Sequence, residues 1–292
     1  PSNAVRLLRE AHNQGISYFD TARLYADGAA ERLLGEAFWH LRDEIIITTK
    51  VGILPIRREL ATRVAGKAAS VLRRVAPLRA IVPEPVVQQP EFGVFDSKRM
   101  LQSLETSLKM LRTDHVDALL LHECTLDDVR SDEVRQFLEN AVQSGKARMH
   151  GVAPTLHDML AIATSGEPFG AITQFDAALR GRLPVVGEGT MPFVVTHSCL
   201  GRDFRNMVNR LGTESGLRER WREAAGIDAE DTAQLAQAFL AHALAQNKDG
   251  IVLFATTRPE RLQANLAAER WLASPERCAA VGNLIEEFRA SE

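Results

Sequence analysis

Asp20, Tyr25, Lys50 and His122 are the residue types a site needs to hand a proton to a carbonyl oxygen. An ammonium beside a phenol stabilises the phenolate, and a carboxylate paired with that ammonium fixes its position and keeps it charged. A histidine at the same mouth can donate a hydrogen bond that orients the substrate oxygen. The product is a tuned general acid beside a carbonyl, suited to protonating an alkoxide as a hydride arrives. No metal is required, and Cys124, Cys199 and Cys278 show no metal-ligand spacing. Each residue also has a plainer reading: Asp20 as a helix cap, Lys50 as a solvated charge, His122 as a satisfied structural group. What favours chemistry is that these residues, with Gln174 and Ser198, fall at the ends of successive strand-like segments.

Those segments alternate with helical ones. Apolar spacing predicts helices at 4–12, 31–41, 97–112, 127–143, 156–164, 230–246, 258–270 and 274–289. Short β-branched or apolar runs predict strands at 16–19, 44–49, 116–121, 147–152, 171–174, 192–197 and 250–254. Strand–helix alternation means a parallel sheet, because parallel strands need crossovers. Seven strands led by a helix point to a (β/α)8 TIM barrel, a single domain over 1–292, whose first strand lies upstream of Pro1. A doubly wound open sheet competes, but no G-x-G-x-x-G follows an early strand. In barrels the active site lies at the carboxy-terminal strand ends, where the candidate residues stand.

Two stretches interrupt the rhythm and are expected to be long loops at the barrel mouth. Residues 51–95 hold five of the twelve prolines, and seven Lys/Arg between Arg57 and Arg79 against the single acid Glu59. Residues 198–229 are polar and arginine-rich. Such excursions either shape substrate specificity or are solvated surface.

The 292 residues are 45% hydrophobic and 25% charged, with a formal net charge of −3. That balance suits a globular enzyme with a large core and argues against nucleic acid or an anionic membrane as partner. The apolar runs are too short to cross a bilayer. Three scattered cysteines fit a reducing, cytoplasmic setting.

Asp20-Thr-Ala-Arg-Leu-Tyr25-Ala-Asp-Gly28, followed by Glu31-Arg-Leu-Leu-Gly-Glu-Ala37, resembles the D-T-A-x-x-Y-G and E-x-x-L-G-x-A-L signature of the aldo-keto reductase superfamily. Thr48-Thr-Lys50 is similar to that family's lysine strand. Leu104-Glu-Thr-Ser-Leu108, with Asp114 to Asp117 and the run to His122, is similar to its S-L-x-x-L-x-x-D-x-x-D-L-x-x-x-H segment. The resemblance implies that Tyr25 is the proton donor, tuned by Lys50 and Asp20, with His122 orienting the carbonyl. It further implies NADP(H), with NAD(H) as the alternative, lying extended across the barrel mouth. Gln174 would then bond the carboxamide, Ser198 and Leu200 would line the pyrophosphate, and Thr256 to Asn265 would hold the adenosine end. There Arg261 would meet the 2′-phosphate, for which its forked guanidinium is suited, and Asn265 the adenine. The chain departs from the pattern at Gly151-Val-Ala153-Pro154, where the family has G-V-S-N, which removes two carboxamide contacts. Ala255 and Ala264 stand where many members carry Gly or Lys, and Glu.

The leading expectation is an NADP(H)-dependent oxidoreductase acting on a small carbonyl or alcohol. A cofactor-binding regulatory barrel with little or no turnover is the alternative, motivated by Ala153-Pro154 and the basic stretch at 57–79. A lyase using Lys50 as a Schiff base is a third, but it leaves Tyr25 and the carboxy-terminal arginines unexplained.

Overall fold

The computed structural model describes residues 2–55, 89–177, 192–228 and 230–291. Seven strands lie side by side in chain order: β1 (Tyr18–Asp20), β2 (Ile46–Val51), β3 (Val116–His122), β4 (Ala147–Ala153), β5 (Ile172–Asp176), β6 (Phe193–His197) and β7 (Ile251–Val252). Every pairing is parallel. The sheet is curled as in a (β/α)8 barrel with one strand fewer, and β1 and β7 form its two ends.

Period-two alternation sorts each strand into two faces. Ala118, Leu120, Ala153, Ile172 and Val195 pack together with Tyr18, Ile251 and Leu253 inside the curl. Phe19, Ile47, Leu119, Leu121 and Val152 point the other way, into a larger core shared with the surrounding helices. Those helices are α1 (Asn3–Asn13), α2 (Ala29–Phe38), α3 (Ser97–Leu111), α4 (Leu126–Arg130) and α5 (Asp132–Gln143). Most begin on a side chain that can accept an orphan N–H. Ser2 caps α1, Asp96 caps α3 at 2.9 Å, and Thr125 forms a capping box with Asp128 on α4.

Two polar side chains stitch strands from outside the ladder. Asp117 on β3 accepts from the Ile47 backbone N–H at 2.8 Å and from Arg42 at 2.7 Å, tying β2 to β3. Asn247, buried, donates to the carbonyls of Val194 at 3.1 Å and Ile251 at 3.0 Å, holding the two-residue β7 against β6.

The stretch expected as a loop at 198–229 holds two helices, α7 (Arg202–Thr213) and α8 (Ser215–Ala225), after α6 (Leu156–Ser165). Met207, Leu211, Trp221 and Ala225 are buried against α9 (Thr232–Gln246) and α11 (Pro275–Ala290), with α10 (Pro259–Leu266) between them in sequence. Arginines on both helices, with asparagines on α7 and glutamates on α8, fill the remaining faces. The single helix expected at 127–143 divides at Ser131, whose hydroxyl caps the second part. Of the 51–95 excursion, residues 56–88 and their basic cluster lie outside the described residues. Its two ends meet in an antiparallel bridge between Leu54 and Glu91.

Candidate active site

Three strand ends and the loop after the first bring the four candidate residues together. Asp20 closes β1, Lys50 is the penultimate residue of β2, and His122 closes β3. Thr48 and Lys50 share the inner face of β2: Thr48 donates to the Tyr18 hydroxyl at 2.6 Å, and Lys50 reaches the rim. Lys50 is 2% exposed, and its Nζ donates to both oxygens of Asp20 at 2.6 Å and to the Thr21 carbonyl at 3.1 Å. The fourth neighbour of that ammonium is the Tyr25 hydroxyl, at 3.4 Å. An ammonium so enclosed is an electrostatic partner rather than a free amine, which argues against the Schiff-base alternative.

The His122 ring meets the Tyr25 ring edge-on, with centroids 5.9 Å apart and planes at 89°. Burial, the charge of Lys50 and the neighbouring His197 push the His122 imidazole down to about 3. His122 is therefore neutral at ordinary pH, with one N–H to donate and no charge competing with Lys50.

Gln174 lies on β5 two residues beyond Ile172, so it shares the inner face, and it is 3% exposed. Its Oε1 is buried with no hydrogen-bond partner among the described residues. Ser198, just past β6, adopts a left-handed conformation (φ 63°), and its hydroxyl lies 2.7 Å from His197 Nδ1. Leu200 is half-buried between two helical clusters. Thr256, at the foot of α10, accepts from the Arg258 N–H at 3.1 Å; Asn265 on the same helix is buried and Arg261 is exposed. Ala153 and Pro154 are both buried, so the rim between His122 and Gln174 is apolar.

Sequence reading passed over His197 and Asp176. Both close their strands, and they are register partners at the mouth. The imidazole of His197 is pushed below its ordinary value by burial, with Asp176 opposing and Lys50 adding to the shift. The expected strand at 192–197 already ended on His197, but the residue after it, Ser198, was the one singled out.

A curled parallel sheet thus carries Asp20, Tyr25, Lys50 and His122 together at its mouth. The model of the aldo/keto reductase family matches residues 1–172, and the chain belongs to that family, whose members are NAD(P)H-dependent oxidoreductases on a (β/α)8 barrel. A probable aldo-keto reductase of Glycine max is 25% identical over 91% of this chain and 74% of its own length. The aldo-keto reductase AMT2 of Alternaria alternata is 29% identical over 52% of this chain, a match that spans only 40% of the fungal protein. Among solved structures, an aldo-keto reductase from Klebsiella pneumoniae in complex with NADPH superposes with a TM-score of 0.65 at 22% identity. That superposition covers 97% of this chain and 84% of the Klebsiella protein. Among the described residues no helix is long and apolar enough to cross a membrane, and no cluster of His, Cys, Asp or Glu could hold a metal ion.

Proposed function

We propose that this chain catalyses NADP(H)-dependent reduction of a carbonyl group, and the reverse oxidation of an alcohol, with Tyr25 as general acid and base. One observation carries the reading. The Lys50 ammonium is locked by Asp20 at 2.6 Å on both oxygens, and its remaining direction faces the Tyr25 hydroxyl at 3.4 Å. A proton leaving Tyr25 Oη leaves a phenolate already faced by a fixed positive charge, so little reorganisation accompanies the transfer. His122, neutral, donates its N–H to the same substrate oxygen and holds it within reach of Tyr25. The substrate carbon takes the hydride, its oxygen takes the Tyr25 proton, and Tyr25 regains a proton from solvent.

The residues present fit a nicotinamide cofactor. Bound NADP(H) supplies the hydride and takes it back in the reverse direction. Unpartnered Gln174 Oε1 suits an amide N–H, such as that of the carboxamide. Ser198 and Leu200 supply the pyrophosphate side, Thr256 and Asn265 the adenosine end, and the exposed Arg261 can turn its guanidinium to a 2′-phosphate without breaking an internal bond. Because Ala153 and Pro154 offer no side-chain donors, Gln174 carries more of the carboxamide recognition than a polar rim would require. The same pair keeps the regulatory alternative in view, since a loosely held ring would bind without reacting. The three cysteines are free thiols, which suits the cytoplasmic location expected from composition.

The direct test is loss of NADPH absorbance when the chain is mixed with aromatic and aliphatic aldehydes, ketones and sugar-derived carbonyls, with NADH as the control. Turnover with NADPH, faster than with NADH, supports the proposal. Tight NADPH binding without turnover on any of them transfers support to the regulatory reading.

A further inference from the structure

Tyr25 opens a short 3-10 turn, Tyr25–Gly28. Its backbone N–H donates to the Ala22 carbonyl at 3.0 Å, and the next two residues, Ala26 and Asp27, both adopt left-handed conformations at φ 52° and 54°. Such backbone is unfavourable for residues with a side chain and persists where the surroundings impose it. The imposing element lies behind the sheet. Thr49, between Thr48 and Lys50, points outward and donates to Glu31 Oε1 at 2.8 Å. Glu31 Oε2 pairs with Arg23 at 3.3 Å. Both Thr49 and Glu31 are fully buried. Gly28, in the left-handed region at φ 81°, leaves room for the guanidinium: a Cβ there would stand 3.0 Å from Arg23 NH1.

We infer that Arg23 and Glu31 are positioning residues which, anchored through Thr49 to the strand that carries Lys50, set the height of Tyr25 over the lysine. The inference rests on the general-acid reading of Tyr25 and names what holds that group in place. Arg23 lies two residues before Tyr25 and Glu31 six after it, so the buried pair grips the loop from both sides. Burying an ion pair adds little stability over a well-packed apolar pair, but it tolerates few geometries, which makes it suited to fixing a register. A hydroxyl 3.4 Å from an ammonium is at the long edge of a hydrogen bond, where a small displacement of the loop weakens the interaction steeply.

The chain offers a readout independent of turnover, because it has two tyrosines, Tyr18 and Tyr25. The tyrosinate step that Tyr25→Phe abolishes in a near-ultraviolet difference titration is the one that reports Tyr25. In Glu31→Gln that step is expected to move to higher pH. The kcat for NADPH-dependent reduction of p-nitrobenzaldehyde should fall on the order of tenfold, with KM and the NADPH dissociation constant within about twofold of the unaltered chain. Arg23→Lys, which keeps a cation, should show smaller shifts in the same directions. If Glu31→Gln does not fold, Thr49→Val decides, since it removes one hydrogen bond and no charge; a smaller rise in the tyrosinate step and a smaller fall in kcat are expected. A folded Glu31→Gln or Thr49→Val with an unmoved tyrosinate step overturns the inference, as does a loss of kcat matched by an equal loss of NADPH affinity. Tyr25→Phe separates the two levels of the argument. If it retains turnover, the general-acid reading fails, while the titration of Glu31→Gln still reports whether the pair positions the phenol.

Discussion

The two halves of the barrel mouth are built on different terms. On the side of β1 to β3, the polar groups of Asp20 and Lys50 are joined within the chain: carboxylate to ammonium, ammonium to carbonyl and phenol, with a neutral histidine edge-on to the ring. On the side of β5 to β7 bonding is left unfinished. Gln174 Oε1 is buried without a partner, Arg261 is exposed, and β7 is two residues long and held by Asn247. Groups that move a proton must stand at fixed distances before substrate arrives, so they are satisfied internally. On the function proposed above, Gln174 and Arg261 would keep an acceptor and donors free for an exchangeable cofactor.

The comparison breaks if substitutions on the two sides have the same consequences. The largest effect is expected from Lys50→Met, which removes the charge facing Tyr25 and strands Asp20. The kcat should fall about 10²- to 10⁴-fold, and stability should drop by about 3–5 kcal/mol as a buried pair loses one partner. Steady-state kinetics with urea unfolding measures both. Arg261→Ala should weaken NADPH about ten- to a hundredfold, the worth of a hydrogen bond to a charged group, while leaving NADH affinity and the thermal midpoint unchanged. Fluorescence titration of both cofactors checks this, and an equal loss for NADH would remove Arg261 from the 2′-phosphate.

A separate effect concerns pH. His122 has a folded-state value of about 3 against an ordinary 6.5. The unfolded chain therefore takes up a proton first as pH falls, so the stability present above 6.5 is lost between 6.5 and about 3. The contribution is about 1.4 kcal/mol per pH unit across that window. His122→Asn should flatten the acid limb of the unfolding free energy by that slope, and an unchanged limb would show that the imidazole is not held neutral.

The element order was legible because strand and helix periods alternate from Val5 to Phe175 on either side of the 51–95 excursion, and the rim followed once barrel geometry was assumed. The clustering of Asp20, Lys50 and His122 was legible because each follows a short strand-like run in a residue type that seldom stands there for packing reasons. His197 was missed because the sequence reading singled out the residue following the strand, Ser198, and passed over the last residue of the strand itself. Helices α7 and α8 were missed because Met207, Leu211 and Trp221 are set among arginines, and their burial depends on α9 and α11, far along the chain. The grip of Arg23 and Glu31 on the Tyr25 loop could not be read at all. It depends on Thr49 facing outward toward α2, a matter of sheet register rather than of local pattern.

The central claim is that Tyr25 supplies the proton while other residues bind the cofactor. It is tested most directly by single-turnover reduction in the unaltered chain and in Tyr25→Phe, after NADPH titration of the same samples. The account predicts equal NADPH dissociation constants and a rate lower by about 10²- to 10⁴-fold in the variant. A Tyr25→Phe protein that binds NADPH and reduces its substrate at the unaltered rate would contradict it.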